Sequence, residues 1–169
     1  MTADERKLPD GAAGEREMLE GWLEFHRATL AVKCQGLDEQ QVREASVPPS
    51  DLTLLGLVRH MAEVERGWFR KVMTGEDAGP IYYTDEDRDR DFHPREDETW
   101  EEAYATWQAE IARSREIATA SLDDLAVGKH RLSETFNLRW IYTHMIEEYA
   151  RHNGHADLIR ERIDGATEA

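Results

Sequence analysis

The sequence predicts an all-α fold, a four-helix bundle with a long crossover between its second and third helices, and three observations predict it. Four segments repeat apolar residues at steps of three and four, the period of one face of a helix. None shows the short β-branched alternation expected of a strand. Residues 75–98 lie between the second and third segments and are too long and too acidic for a tight turn.

The first segment, about 15–36, sets Met18, Trp22, Phe25 and Thr29 along one face, and Gly36 is placed to end it. A linker with Pro48, Pro49 and Ser50 leads to the second, about 53–74, whose stripe is Leu54, Leu57, Met61, Val64, Trp68 and Val72, with Gly75 after it. An extended chain as long as 75–98 reaches well past ~33 Å, enough to run back along a bundle and leave the second and third helices parallel. Its Ile81, Tyr82, Tyr83 and Phe92 favour a packed crossover over a disordered acidic loop. The third helix, about 99–122, opens on a capping box in which Thr99 and Glu102 satisfy free backbone donors, and its stripe is Trp100, Tyr104, Trp107, Ile111 and Ala118. The fourth, about 137–163, begins at Asn137, a favourable N-cap, and stops at Asp164 and Gly165.

Four helices in 169 residues make one domain, 1–169, around one core. With 21 Lys+Arg against 36 Asp+Glu the net charge is −15, which repels a phosphate backbone and excludes nucleic acid as a partner. No run of about 18 apolar residues occurs and the first residues are charged, so the expectation is a cytoplasmic protein that does not enter the membrane. Cys34 is the only cysteine, so neither an internal disulfide nor a cysteine metal cluster can form, and its place near a helix end suits a small packing residue.

The stretch HMIEEYARHNGH, residues 144–155, breaks the apolar logic of the fourth helix. At about 100° per residue, Leu138, Ile141, Met145, Ala156, Ile159 and Ile163 share one sector, and Glu148 and His152 fall inside it. They are four apart and therefore neighbours on consecutive turns, with His144 and His155 on one flank. A carboxylate facing a core costs several kcal/mol unless it is paired, and a divalent cation shared with imidazoles is an economical partner. A third ligand must come from another helix. His60, beside the stripe of the second helix, is the best placed, and His26 is the second choice; His93 and His130 fall in loops. The alternative is a hydrogen-bonded Glu, His and Arg network without metal. Glu63, Glu65 and Glu147 read as solvated faces or ordinary ion pairs. Zinc is the first choice of metal, with nickel and manganese as alternatives, since all accept imidazole and carboxylate.

The motif from Glu148 to His155, ExxxHNGH, together with LLGLVRHMAEVERGWF at 54–69, resembles the DinB-like (DinB/YfiT-like) superfamily, in particular an actinobacterial branch with the HMIEEYARHNGHADL signature. The resemblance spans roughly residues 15–165 and implies a four-helix bundle, often a homodimer, with a metal held by one residue of the second helix and two of the fourth. Many relatives use three histidines; the His, Glu, His set here is similar to that of the mycothiol-dependent maleylpyruvate isomerases, so His60, Glu148 and His152 are the implied metal ligands. Where relatives commonly read HRGQ this chain reads HNGH, which places His155 near the metal as an extra ligand or a supporting group.

The expected function is a metal-dependent transfer of a small-molecule thiol such as mycothiol to an electrophile, with His144 or His155 accepting the released proton. Two metal-based alternatives stay open: a hydrolase using metal-bound water, and a non-enzymatic metal-binding stress-response protein. A dimeric scaffold without metal is the third. No G-x-S-x-G, phosphate loop or H-E-x-x-H motif is present.

Overall fold

The computed structural model describes residues 6–133 and 135–167, and among these the chain is helical, with isolated bridges in place of any strand. Its elements are α1 (Glu15–Cys34), α2 (Glu39–Val42), α3 (Leu54–Glu65, continued as π-helix over Arg66–Met73), α4 (Trp100–Ile117) and α5 (Leu138–Asp164). The four long helices are those expected, and their starts rest on the expected caps. Thr53 accepts from Gly56 N, Thr99 forms the capping box with Glu102, and Asn137 accepts from Trp140 N. Gly165 ends α5 in the left-handed conformation at φ 78°.

Three local differences have physical causes. The short α2, unmarked by any periodicity, is held by a capping box between Asp38 and Gln41. α4 ends at Ile117 rather than near 122, because Arg16 of α1 takes the carbonyls of Ala118 (2.9 Å) and Ala120 and turns the chain there. The last two turns of the second helix widen to π geometry, which buries Trp68 and Phe69, neighbours in sequence, together with Val72 and Met73.

Pair contacts fix the directions. Glu15 meets Arg139 and Lys33 O meets Arg160, so α1 and α5 run parallel. Arg59 meets Glu98 and Arg66 meets Glu110, so α3 and α4 also run parallel, which requires the crossover. The crossover is packed, as expected from its aromatic residues. Arg59, fully buried, lies 4.1 Å from the Tyr82 ring and donates to the carbonyls of Arg90 and Asp91. Glu63 Oε1 accepts from the amides of Ile81 and Tyr82 at 2.6 and 2.5 Å.

Glu63 and Glu65, read from sequence as solvated or in ordinary ion pairs, are buried. Glu65 is the hub of a chain through all four long helices. Trp107 Nε1 donates to Tyr149 OH (2.8 Å), Tyr149 OH donates to Glu65 Oε1 (2.8 Å), and Arg27 clamps both Glu65 oxygens at 2.8 and 2.7 Å. A carboxylate with no exposed surface is tolerable only because a bidentate guanidinium meets it. Cys34 is buried as a packing residue, and burial pushes its thiol up to about 12, so it is no thiolate at neutral pH.

Candidate metal centre

The apolar sector of α5 faces the core through Leu138, Ile141, Met145, Ala156 and Ile159, all buried, and Glu148 and His152 occupy two turns of that face. α3 runs antiparallel to α5, which sets His60 across from them, its ring 4.6 Å from that of His152. One donor atom from each of His60, Glu148 and His152 lies within 4.8 Å of the others. The His152 Nε2 to Glu148 Oε2 separation is 3.6 Å, close to the ~3.4 Å between two donors of a tetrahedral ion with ~2.1 Å bonds.

The surroundings favour a cation. Glu148 is half-buried, and its nearest charge partners are imidazoles, His144 at 3.5 Å and His152 at 3.6 Å, whereas the buried Glu65 and Glu110 are each held by arginine. A hydrogen bond with His152 lowers the Glu148 pKa, against burial and with help from the nearby His144 and His60, so the group is a carboxylate ready to ligate.

The two imidazole rings of the trio are oriented from behind. Asp91 of the crossover, buried at 5% exposure, has Oδ2 2.8 Å from His60 Nδ1. An ionised carboxylate can only accept, so the proton sits on Nδ1 and the Nε2 lone pair points to the site, the arrangement that fixes histidine ligands in metalloproteins. Phe92 stacks on the other side of His60 at 4.3 Å. Gly56, one turn before His60, makes this possible: a Cβ there would lie 2.6 Å from the Phe92 carbonyl, so only glycine lets the crossover lie directly on α3. On α5, His155 Nδ1 is 3.3 Å from His152 Nδ1, on the far side of the ring from Glu148.

The remaining histidines separate clearly. His144 stacks on Trp140 (5.0 Å), meets Trp68 edge-on (4.6 Å), and borders a cleft that His60 and Glu148 also line. Burial lowers its pKa, opposed by Glu148 and Glu147, so it is neutral near pH 7 and can take a proton. His155 is also lowered by burial and by His152. His26 stands on α1 against Asn153 and Trp22, away from the trio, and His93 pairs with the exposed Asp51. His130 packs on Trp68 at 4.7 Å at the wall of the cleft.

The fold and this donor set agree with one comparison. A family model described as mycothiol-S-transferase (MST) matches residues 18–165. The chain belongs to the mycothiol-S-transferase family. Comparison with curated proteins gives no match. In this mycothiol-S-transferase family member, candidate His and Glu groups accord with a divalent cation, and the family description accords with a small-molecule thiol. No described helix is long and apolar enough to cross a membrane.

Asp91 and the cleft residues Lys71, Lys129 and Arg131 were not singled out from the sequence, and Phe92 was read only as packing of the crossover. The available signal was Gly56, a glycine inside an otherwise strong helical pattern, which marks a close approach by another segment.

Proposed function

We propose that the protein is a metal-dependent thiol S-transferase that attaches a small-molecule thiol, mycothiol by family, to an electrophilic carbon. His60, Glu148 and His152 hold the cation, zinc first, with Asp91 and His155 orienting the two imidazoles. A divalent cation bound there supplies Lewis-acid stabilisation of a thiolate over a thiol. His144, neutral and at the cleft wall, accepts the thiol proton and passes it to solvent. The sulfur then forms its bond to the electrophilic carbon as the leaving group departs with the electron pair of the broken bond. Trp68, backed by Trp140 at 5.1 Å, gives the cleft an apolar surface on which the electrophile can lie.

The observation that supports catalysis over a purely structural ion is the cleft of about 390 Å³ opening onto His60, Glu148 and His144, room for a substrate beside the ligands. If His144 closes the coordination as a fourth ligand, the centre is structural instead. The test is metal content by elemental analysis, followed by thiol consumption with mycothiol and monobromobimane, for the wild type and Glu148→Gln. The expected result is about one metal per chain and metal-dependent consumption, both lost in the variant. A metal-free wild type overturns the centre; a metal-loaded protein that consumes no thiol overturns the transferase reading in favour of hydrolysis or a structural ion.

A further inference from the structure

The cleft above the metal trio is bipolar. It is lined by His60, Glu63, Asp91 and Glu148, with Asp91 engaged by His60, Glu148 by imidazoles and Glu63 by the crossover amides through Oε1, while Glu63 Oε2 is buried without a hydrogen-bond partner among the described residues. The same cleft is lined by three cations, Lys71, Lys129 and Arg131. Lys71 Nζ meets the Tyr83 hydroxyl at 3.1 Å and lies 5.3 Å from the Tyr83 ring, and forms no ion pair among the described residues. Lys129 and Arg131 are exposed, and among the described residues neither forms an ion pair. In a chain of net charge −15, where arginines across the bundle are paired with carboxylates, three cations that form no ion pair among the described residues lie together along one cleft and can draw an anionic group to it.

The placement of Lys129 and Arg131 is built, not incidental. Val127 N donates to Met73 O at 3.1 Å and Gly128 N to Val72 O at 2.8 Å, so the loop is sewn to the free carbonyls at the π-helical end of α3. A Cβ on Gly128 would stand 2.0 Å from Lys71 O, so only glycine permits this approach, and the next residues are the cations Lys129 and Arg131. Leu132, 54% exposed, and Trp68 line the same cleft and add apolar surface beside the charges.

We infer that Lys71, Lys129 and Arg131 form a recognition site for a carboxylate on the electrophilic substrate, whose apolar body lies along Trp68 and Leu132 with its reactive carbon toward the metal trio. The inference rests on the thiol-transfer reading above. The charge is assigned to the electrophile because mycothiol has no ionised group other than its thiol. Guanidinium and ammonium donors match a carboxylate in charge and hydrogen bonding, and the apolar surface of Trp68 and Leu132 beside them can take the rest of the molecule.

The test compares 4-(bromomethyl)benzoate with 4-(bromomethyl)benzamide, which share the reactive carbon and leaving group, as partners of mycothiol on the metal-loaded protein. The expected kcat/KM ratio is at least about tenfold in favour of the carboxylate, falling to near one in Lys129→Gln/Arg131→Gln. A second readout needs no turnover: tryptophan fluorescence titrated with 4-methylbenzoate and 4-methylbenzamide, expected to show the same preference in the wild type and its loss in the double variant. A preference that survives the double substitution assigns the carboxylate to the metal and overturns the inference, as does equal treatment of the two compounds in both readouts. A preference that appears only between N-acetylcysteine and its amide, with a neutral electrophile, moves the charge to the thiol and overturns it as well. Turnover without charge preference refutes this site and leaves the transferase standing; fluorescence preference without turnover refutes the transferase and leaves the site.

Discussion

Replacing Asp91 tests how the centre is held. The carboxylate lies 2.8 Å from His60 Nδ1, is 5% exposed, and belongs to a crossover segment that also stacks Phe92 on the same ring at 4.3 Å. In the proposed centre its work is to keep the proton on Nδ1 and aim Nε2 at the metal. Loss of such an outer partner costs about 10–100-fold in metal affinity, which is about 1.4–2.7 kcal/mol. Asp91→Asn retains an oxygen that can accept from Nδ1–H, so the ring stays placed and only the charge is lost; about tenfold weaker binding is expected. Asp91→Ala loses both and should approach one hundredfold. Arg59 donates to the Asp91 backbone carbonyl, not to its side chain, so the crossover stays docked in both variants.

The assay is a competition titration of zinc against a chelator of known affinity at one pH, with Glu148→Gln as the reference for loss of a ligand. Thermal unfolding in excess chelator reports whether each metal-free variant is folded. Zinc binding within twofold of wild type in both Asp91→Asn and Asp91→Ala, with Glu148→Gln impaired, would show that His60 needs no partner or is not a ligand.

Two further changes test the fold. Arg27→Met leaves the Glu65 carboxylate buried without its cation, and a loss of about 3–5 kcal/mol is expected, read as a lower urea midpoint; a loss under about 1 kcal/mol would show that Tyr149 alone satisfies Glu65. Glu98 sits in partial burial, which raises its pKa, but amide and guanidinium donors from Arg95, Arg90 and Arg59 outweigh this and hold it at about 2 against an ordinary 4.5. Its folded pKa is depressed, so its stabilisation is present above pH 4.5 and is lost as the pH falls from 4.5 toward 2. With Glu98 about a third exposed, solvent screening reduces the effect to ~1–2 kcal/mol. Glu98→Gln should flatten the acid limb of a stability profile over that window, and an unchanged slope would refute the assignment.

The helices were legible because each reports its own period and caps locally: Thr99 with Glu102, Asn137 and Gly165 need no knowledge of the rest of the chain. Glu148 and His152 were legible for the same reason, since one helix places them on its apolar sector. What failed to show was whatever depends on a distant partner. Arg16 ends α4 from α1, so periodicity alone ran the helix on to about 122. Glu65 looks like a surface residue until Arg27, 38 positions earlier, is seen to meet it. Asp91 is one of several acids in the run TDEDRDRDF, and only the fold selects it for His60.

These long-range placements share one platform. The crossover rests on α3 at Gly56 and brings Asp91 and Phe92 to His60; the 127–133 loop rests on the π-helical end of the same helix at Gly128 and brings Lys129 and Arg131 to the cleft. In both cases a missing Cβ lets a segment without regular structure approach helical backbone closely enough to be fixed by it. The two attachments have different consequences. The first sets the tautomer and position of a proposed ligand, so changes near Gly56 should alter metal affinity whatever the substrate. The second touches no proposed ligand, so the loop after Gly128 can change its charges without disturbing the centre. With the proposed ligands and the proposed carboxylate site, substrate choice would vary independently of the metal chemistry, because the two depend on separate turns of one helix.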